Sequence, residues 1–420
     1  MNSKHSITKM TSVFLAFILL FTALVPTVSA SVDGALLPAG FRVTSETTYK
    51  VVSGITERHF IINNTSNSNQ VKSYTLEIDL NNPDISIIAS YNDGDADGWG
   101  RATVPDQAAA MEKKLGVNVV GGINGDYFMN AQGEPSGVLI MGGVFGHATG
   151  GHPYFAILNN GTAVIRTGDV PTDDVKEAIG GSDIIVRNGE VIYPADDYLA
   201  PRTAVGIRAD GSVVFFVADG RQQPDSCGML PTQVADTMAA LGCVDALALD
   251  GGGSSTLVSR REAGSSFEVR NYPSYMGVAR PVSTALLVCS SAKPTGVFDR
   301  VAFSQGNYRC NPTSWVTVSA KGVDENGYST SIPEGGKIVL SDSSYGFMAG
   351  NIFHAAGKTG TVTINYVIGD EVYGTSTIEI SKDNDTMFTA TLRKLLQTVL
   401  NLFNTIRTVI EEVRGGSTIF

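Results

Sequence analysis

Asp250 ends the apolar run VDALALD and is followed by Gly251, Gly252, Gly253, Ser254 and Ser255. A carboxylate at a strand end can act on an electrophilic carbon, and glycines, with no side chain in the way, let an anion come close to the backbone. The same layout recurs in GGINGDYF, where Asn124 and Asp126 leave a glycine-rich strand and Glu134 follows on the next loop. Asp250, Asp126 and Glu134 are therefore candidate carboxylates of one cleft. A nucleotide cradle is disfavoured, because Ser254 stands where a P-loop needs lysine and the spacing G-x-G-x-x-G is absent. No G-x-S-x-G elbow occurs either, so Ser254 and Ser255 are poor nucleophiles.

Cations accompany the acids. Arg202 and Thr203 lie in PRTAVG, Asp219 and Arg221 in ADGRQ, and Arg280 in ARPVST, each next to apolar sequence. Guanidinium prefers forked contact with carboxylate or phosphate, so an arginine entering a core layer implies an anionic partner, either a structural ion pair or a ligand. His147 and His152 flank a long glycine-rich stretch and are further acid or phosphate-ligand candidates, against the plainer reading of solvated loop histidines. NDGDADG at 92–98 copies the first half of a calcium loop, but Val104 stands where the bidentate glutamate belongs. A calcium ion there stays an unsupported alternative to a polar turn. No zinc spacing occurs, and no cofactor is required.

These residues need elements to position them. HFIINN and KSYTLEIDL alternate apolar and polar residues, as strands with one wet face do. YFAILNNGTAVI and DIIVRNGEVI each turn at Asn-Gly, and RTAVGIRADGSVVFFVADG turns at Asp210 and Gly211, which predicts hairpins. A helix is expected over about 103–115, with Thr103 and Asp106 at its start and Gly116 as its stop. A second is expected from Pro231, with Val234, Met238 and Leu241 on one face and Gly242 at its end. VDALALD and VSTALLVC read as buried strands.

The termini differ in character. Lys4 and Lys9 precede an apolar run from Val13 to Leu24, and Val28, Ser29 and Ala30 form a small-residue cleavage pattern. Residues 1–30 thus read as a removed secretory signal, with a retained anchor as the alternative, since a spanning helix needs about 20 apolar residues. The mature chain is expected to be secreted or attached to the cell surface. Its formal charge of −11, more negative still without the two lysines, repels phosphate backbones and argues against nucleic acid as a partner. Cys227, Cys243, Cys289 and Cys310 allow three pairings in an oxidising compartment, with a free buried thiol equally open for Cys243 and Cys289. Residues 293–383 carry short Val-, Thr- and Ser-rich strands that suggest an Ig-like β-sandwich. Residues 384–420 hold a heptad seam, Leu392, Leu396, Val399, Phe403, Ile406, Ile410 and Val413, that predicts an amphipathic helix. It could dock, self-associate or lie on a membrane surface.

Taken in order, NGDYF, GEPSGVLI, RTAVGIRADGSVVFFVADGRQ, VDALALDGGGSSTLV and RPVSTALLV resemble the phosphodiester glycosidase family over about residues 50–290. The resemblance implies an α+β, mixed-sheet catalytic domain over 31–292 and a hydrolase of sugar-1-phosphodiesters, N-acetylglucosamine-like, in a cell-wall or extracellular glycan or a glycolipid. The alternative is a non-catalytic surface protein that binds glycans. Ala248 departs from the asparagine common in the family before Leu-Asp, which removes a side-chain hydrogen bond and bears on substrate choice. Expulsion of a stable phosphate needs less protonation than ordinary glycoside hydrolysis, so cations and backbone amides should do much of the work. The expected roles follow. Arg202 or Arg280 with the amides of Gly251 to Ser254 meets the leaving phosphate, Asp250 or Asp126 acts as nucleophile or base with Glu134 next in line, and Asn124 and Thr203 orient sugar hydroxyls. Asp219, Arg221 and Ser255 complete the expected substrate contacts.

Overall fold

The structure is a computed structural model that describes residue 37 and residues 41–64, 69–92, 99–129, 132–147, 151–168, 173–194, 198–264 and 266–382. The signal segment, the calcium-like turn beyond Asn92 and the C-terminal heptad helix lie outside the described residues.

Alternating hydrophobicity becomes three antiparallel sheets. The largest has eight strands and runs, edge to edge, through Phe41–Val52, Ile55–Asn64, Gln70–Ile78, Val213–Ala218, Arg202–Arg208, Cys243–Ala248, Ile184–Arg187 and Glu190–Val191. A five-stranded sheet orders Glu268–Val269, Leu257–Ser259, Asn118–Asn124, Thr284–Ser290 and Ile85–Tyr91. A second five-stranded sheet is built from Ala163–Arg166, Tyr154–Leu158, Val175–Gly180, Leu139–Met141 and Val144–His147.

The expected α+β, mixed-sheet architecture is therefore corrected to a mainly β one. Every strand pair in these three sheets is antiparallel. The physical reason is the linkers: tight hairpins reverse the chain, whereas parallel neighbours need long crossovers. At Asn188 and Gly189 both φ values are positive, 53° and 80°, as a two-residue hairpin turn with the right twist requires.

Two α-helices occur among the described residues, where the sequence placed them. Val104–Leu115 starts at Thr103, whose hydroxyl accepts from Asp106 N, and stops at Gly116 with φ of 66°. Pro231–Ala240 precedes Gly242, which also has a positive φ. The main core lies between the sheets, where Leu76, Phe215 and Leu247 meet Ile87, Ile123 and Leu286. Each helix covers an outer face: Met238 and Val234 pack on Phe216 and Ala246, and Val104 and Met111 pack on Leu287. Strands buried on both faces lose their polar alternation, which is why VVFFVA is buried throughout.

The strands expected after residue 293 are present. Arg300–Phe303, Asn307–Cys310, Gly336–Leu340, Gly360–Ile368 and Glu371–Ile380 belong to small sheets around Tyr308, Phe353, Ile364 and Ile378. All four cysteines are free thiols, so none of the three pairings forms. Cys227, Cys243 and Cys289 are buried, behaving as small apolar groups.

Candidate active site

The carboxyl ends of the 118–124 and 243–248 strands and the amino ends of the 202–208 and 284–290 strands meet at one edge of the stacked sheets. Antiparallel register forces this, since Ala204 pairs with Ala248 and Ala285 with Asn124. Just beyond, Leu249 N donates to Thr203 O at 2.9 Å, continuing the pairing within the eight-stranded sheet, and Asp250 N donates to Gly125 O at 3.0 Å, which ties the two sheets together.

Asn124 fixes the junction. Its Nδ2 donates to Asp250 O at 2.6 Å, and its Oδ1 accepts from Thr203 Oγ1 at 2.9 Å and Thr256 N at 3.0 Å. With both ends of its amide engaged and no exposed surface, Asn124 positions the loop and does not orient sugar hydroxyls as expected. The Thr203 hydroxyl likewise points inward, towards Asn124 and Ser255 Oγ.

Asp126 is held by backbone. Tyr127 N donates to its Oδ1 at 2.7 Å and Gly137 N to its Oδ2 at 2.5 Å. Its carboxylate is wedged between two glycines: a Cβ on Gly180 would lie 2.6 Å from Oδ2, and one on Gly137 2.8 Å from it. Burial pushes the Asp126 carboxyl up to about 7, opposed by the Gly137 and Tyr127 N–H groups and assisted by the Asp250 charge. Beside it His147 Nδ1 lies 2.8 Å from Gly137 O, so Nδ1 carries a proton, and Nε2 faces Glu134 Oε1 at 3.4 Å. Asp126, His147 and Glu134 thus form one group, whereas His152 is exposed and apart from it.

Asp250 has a different setting. Burial raises its carboxyl to about 6, while hydrogen bonds from Ser254 and the Gly251 N–H and the Arg280 charge favour the ionised form. Arg280 Nη1 is 3.3 Å from Ser254 Oγ, and its guanidinium lies over the Phe128 ring at 5.0 Å.

The glycine loop works differently from the expected amide cradle. Gly251 N–H turns to the Asp250 carboxylate, Gly252 N donates to Pro201 O at 2.8 Å and Ser254 N to Gly251 O at 3.2 Å. Those three donors are engaged, the Ser254 N–H within the tight 3-10 turn over Gly252–Ser254 and the Gly252 N–H on Pro201 before the neighbouring strand. The missing side chains instead admit three arginines. Arg202 Cδ lies 3.7 Å from the place of a Gly251 Cβ, the Arg221 Nη atoms 3.4 Å from that of Gly252, and Arg280 Cδ 3.6 Å from that of Gly253.

The arginines are not equivalent. Arg202 donates to Met229 O at 3.1 Å and Tyr198 O at 2.7 Å and stacks on Tyr198, so two carbonyls and a ring hold it. Arg221 and Arg280 form no ion pair among the described residues.

Asp219 does not reach the cleft. Tyr74 OH, Asn271 Nδ2 and Tyr272 N all donate to it, and Asn271 in turn bonds Ser255 O at 2.9 Å and Leu257 N at 2.9 Å. It secures the far end of the glycine loop and is corrected from a substrate contact to a buried support. Asn271 carried no signal in the sequence; Tyr127, next to Asp126, and Asp183, beside the glycine pair Gly180 and Gly181, could have been singled out. Both line an open cleft with Arg202, Thr203 and Ala248, over a floor that includes Ile185 and Val234.

Residues 117–289 match the family model described as phosphodiester glycosidase. N-acetylglucosamine-1-phosphodiester alpha-N-acetylglucosaminidase of Mus musculus is 27% identical over 185 residues, 38% of this chain and 34% of the relative. The chain therefore spans about a third of the length of that curated relative. Among solved structures it is similar to the zebrafish N-acetylglucosamine-1-phosphodiester alpha-N-acetylglucosaminidase catalytic domain auto-inhibited by its pro-peptide. Identity there is 22%, coverage 63% of this chain and 94% of that chain, and the TM-score 0.46. A hypothetical protein from Synechocystis is 14% identical, with 60% of this chain and 69% of that chain covered and a TM-score of 0.41. The matched segment contains Asn124, Asp126, Arg202, Arg221, Asp250 and Arg280, so the candidate site lies within the part of the chain that is similar to the phosphodiester glycosidase family.

Proposed function

We propose that this chain is a hydrolase that cleaves the glycosidic bond of sugar-1-phosphodiesters in an extracellular or cell-wall glycan. The observation that carries the reading is the Asp250 carboxylate beside a glycine loop whose surface is covered by the guanidiniums of Arg221 and Arg280, neither engaged in an ion pair among the described residues. The bond from the anomeric carbon to the phosphate oxygen breaks and its electron pair leaves with the phosphate. A bond from that carbon to a water oxygen replaces it in the net reaction, with Asp250 acting on the carbon or on the water. Arg280 and Arg221 stabilise the departing anion, a task for which forked cations in a partly dry site suit better than a proton donor. Asp126, enclosed and set at a higher proton affinity partly by the Asp250 charge, holds its proton to higher pH than Asp250 does.

The relative's name supplies the sugar to try first, N-acetylglucosamine. The apolar run from Val13 to Leu24 and the small residues before position 31 support export. The strands between 300 and 380 support an Ig-like module that presents the enzyme at a surface.

The test is hydrolysis of the methyl phosphodiester of N-acetylglucosamine 1-phosphate in isotopically labelled water. Release of methyl phosphate with the label in the sugar supports the glycosidase; label in the phosphate identifies a phosphodiesterase instead. Absence of turnover with retained glycan binding would favour a binding protein.

A further inference from the structure

We propose that the cleft walled by Tyr127, Asp183 and Arg202 is the sugar subsite, and that the Asp183 carboxylate recognises the sugar's hydroxyl groups while Ala248 limits the size of its ring substituent. The proposal rests on the reading of Asp250 as the group that meets the anomeric carbon. It adds which way round the substrate lies.

The polarity follows from the loop. Arg221 and Arg280 sit at Gly252 and Gly253, whereas Arg202 sits at Gly251 and lines the cleft, which Arg221 and Arg280 do not. A phosphate at the first pair puts the sugar at the Arg202 end. There the cleft runs past Thr203 and Leu249, the residue before Asp250. The Tyr127 hydroxyl, raised to about 12 chiefly by burial, senses the charges of Asp250, Arg202 and Asp183, and Tyr127, Asp183 and Arg202 line this same cleft.

The lining suits a pyranose. Tyr127, 37% exposed, offers a ring face and a hydroxyl. Asp183 is exposed, and among the described residues its carboxylate makes no hydrogen bond or ion pair. Its backbone is nevertheless fixed, since Ala248 N donates to Asp183 O at 2.9 Å and Ser182 N to Ala248 O at 2.9 Å. An acceptor that is both rigid and unsatisfied discriminates between ligands that carry a hydroxyl and those that lack it. The Ala248 methyl, with Ile185 and Val234, makes an apolar floor against which a small substituent such as an acetamido methyl can rest.

Equilibrium titrations of the full chain with N-acetylglucosamine and, separately, with inorganic phosphate test this without requiring turnover. Asp183→Ala should weaken sugar binding by about tenfold, the loss of a hydrogen bond to a charged group, and leave phosphate binding unchanged. Arg280→Ala should do the reverse. Ala248→Leu, which fills the floor, should weaken N-acetylglucosamine more than glucose. No sugar binding to the wild type, or an Asp183→Ala variant that loses phosphate and keeps sugar, would overturn the subsite. Sugar and phosphate binding with these variant effects but no diester hydrolysis would instead sink the enzymatic reading and leave the subsite standing.

Discussion

The Asn124 carboxamide donates to the backbone carbonyl of Asp250 at 2.6 Å, joining the end of one sheet to the end of another across 126 residues of sequence. It has no exposed surface, and both its carbonyl oxygen and its NH2 group are engaged. Asn124→Ala should therefore leave buried partners unpaired, the Thr256 N–H among them, and cost about 1–3 kcal/mol for a group left unsatisfied. Denaturant unfolding measures that cost, and kcat on a sugar-1-phosphodiester should fall with it because Asp250 loses its anchor. An unchanged midpoint would show that the clamp carries no load.

Asp250 is held at about 6 by burial, against Ser254 and Arg280. If its carboxylate form acts, kcat/KM falls as pH drops below about 6, since protonation removes the active form. Asp250→Asn should reduce kcat on the order of 10²–10⁴-fold, the usual range for a positioned acid or base. A fully active Asp250→Asn would reassign the chemistry even though the similarity over residues 117–289 stands.

The two classes of arginine should separate in kinetics. Arg280→Ala and Arg221→Ala remove cations free to meet phosphate and should lower kcat by up to about 10²–10³-fold, as loss of a charge-stabilising donor does. Arg202→Ala removes a residue held by Met229 O and Tyr198 O, so KM should rise more than kcat falls. Steady-state kinetics on one diester decides it; equal effects on kcat for all three would place Arg202 at the phosphate after all.

Gly180 is a packing requirement of the site. A methyl group there would come 2.6 Å from Asp126 Oδ2 and 2.6 Å from Gly137 Cα. Gly180→Ala should cost about 1–3 kcal/mol by overpacking and alter the pH profile of activity by moving Asp126, whose carboxyl is raised to about 7. Thermal unfolding together with a pH profile checks both effects.

Acidification should stabilise the protein over a defined window. Asp126 and Glu177 are raised to about 7, and Asp219 and Asp250 to about 6, all chiefly by burial. A raised carboxyl stabilises the fold fully while protonated, below its unfolded value near 4, and that contribution is lost as pH rises through the folded value. His59, lowered by burial, pulls the other way as pH falls, and Glu57, lowered to about 2, does so only in strong acid. With these four carboxyls and Asp236, also raised by burial, against one histidine, Tm at pH 5.5 should exceed Tm at pH 8. Calorimetric scans would contradict this if stability rose steadily with pH.

The sequence by itself determined the local structure. Both helices begin and end within a residue or two of their capping and glycine signals, and the Asn-Gly hairpin at Asn188 turns where it was expected. The site's two strand-end carboxylates and its glycine loop were legible too, because strand, turn and glycine patterns are properties of neighbouring residues. Only the tertiary structure decided partners. Which arginine meets which glycine, the inward turn of Asn124, the retreat of Asp219 behind Tyr74 and the purely antiparallel pairing of the three large sheets depend on segments far apart in the chain. A side chain's residue type says what it can bond to. Which of the available groups it meets is set by strand order and register, and periodicity along the sequence does not carry that information.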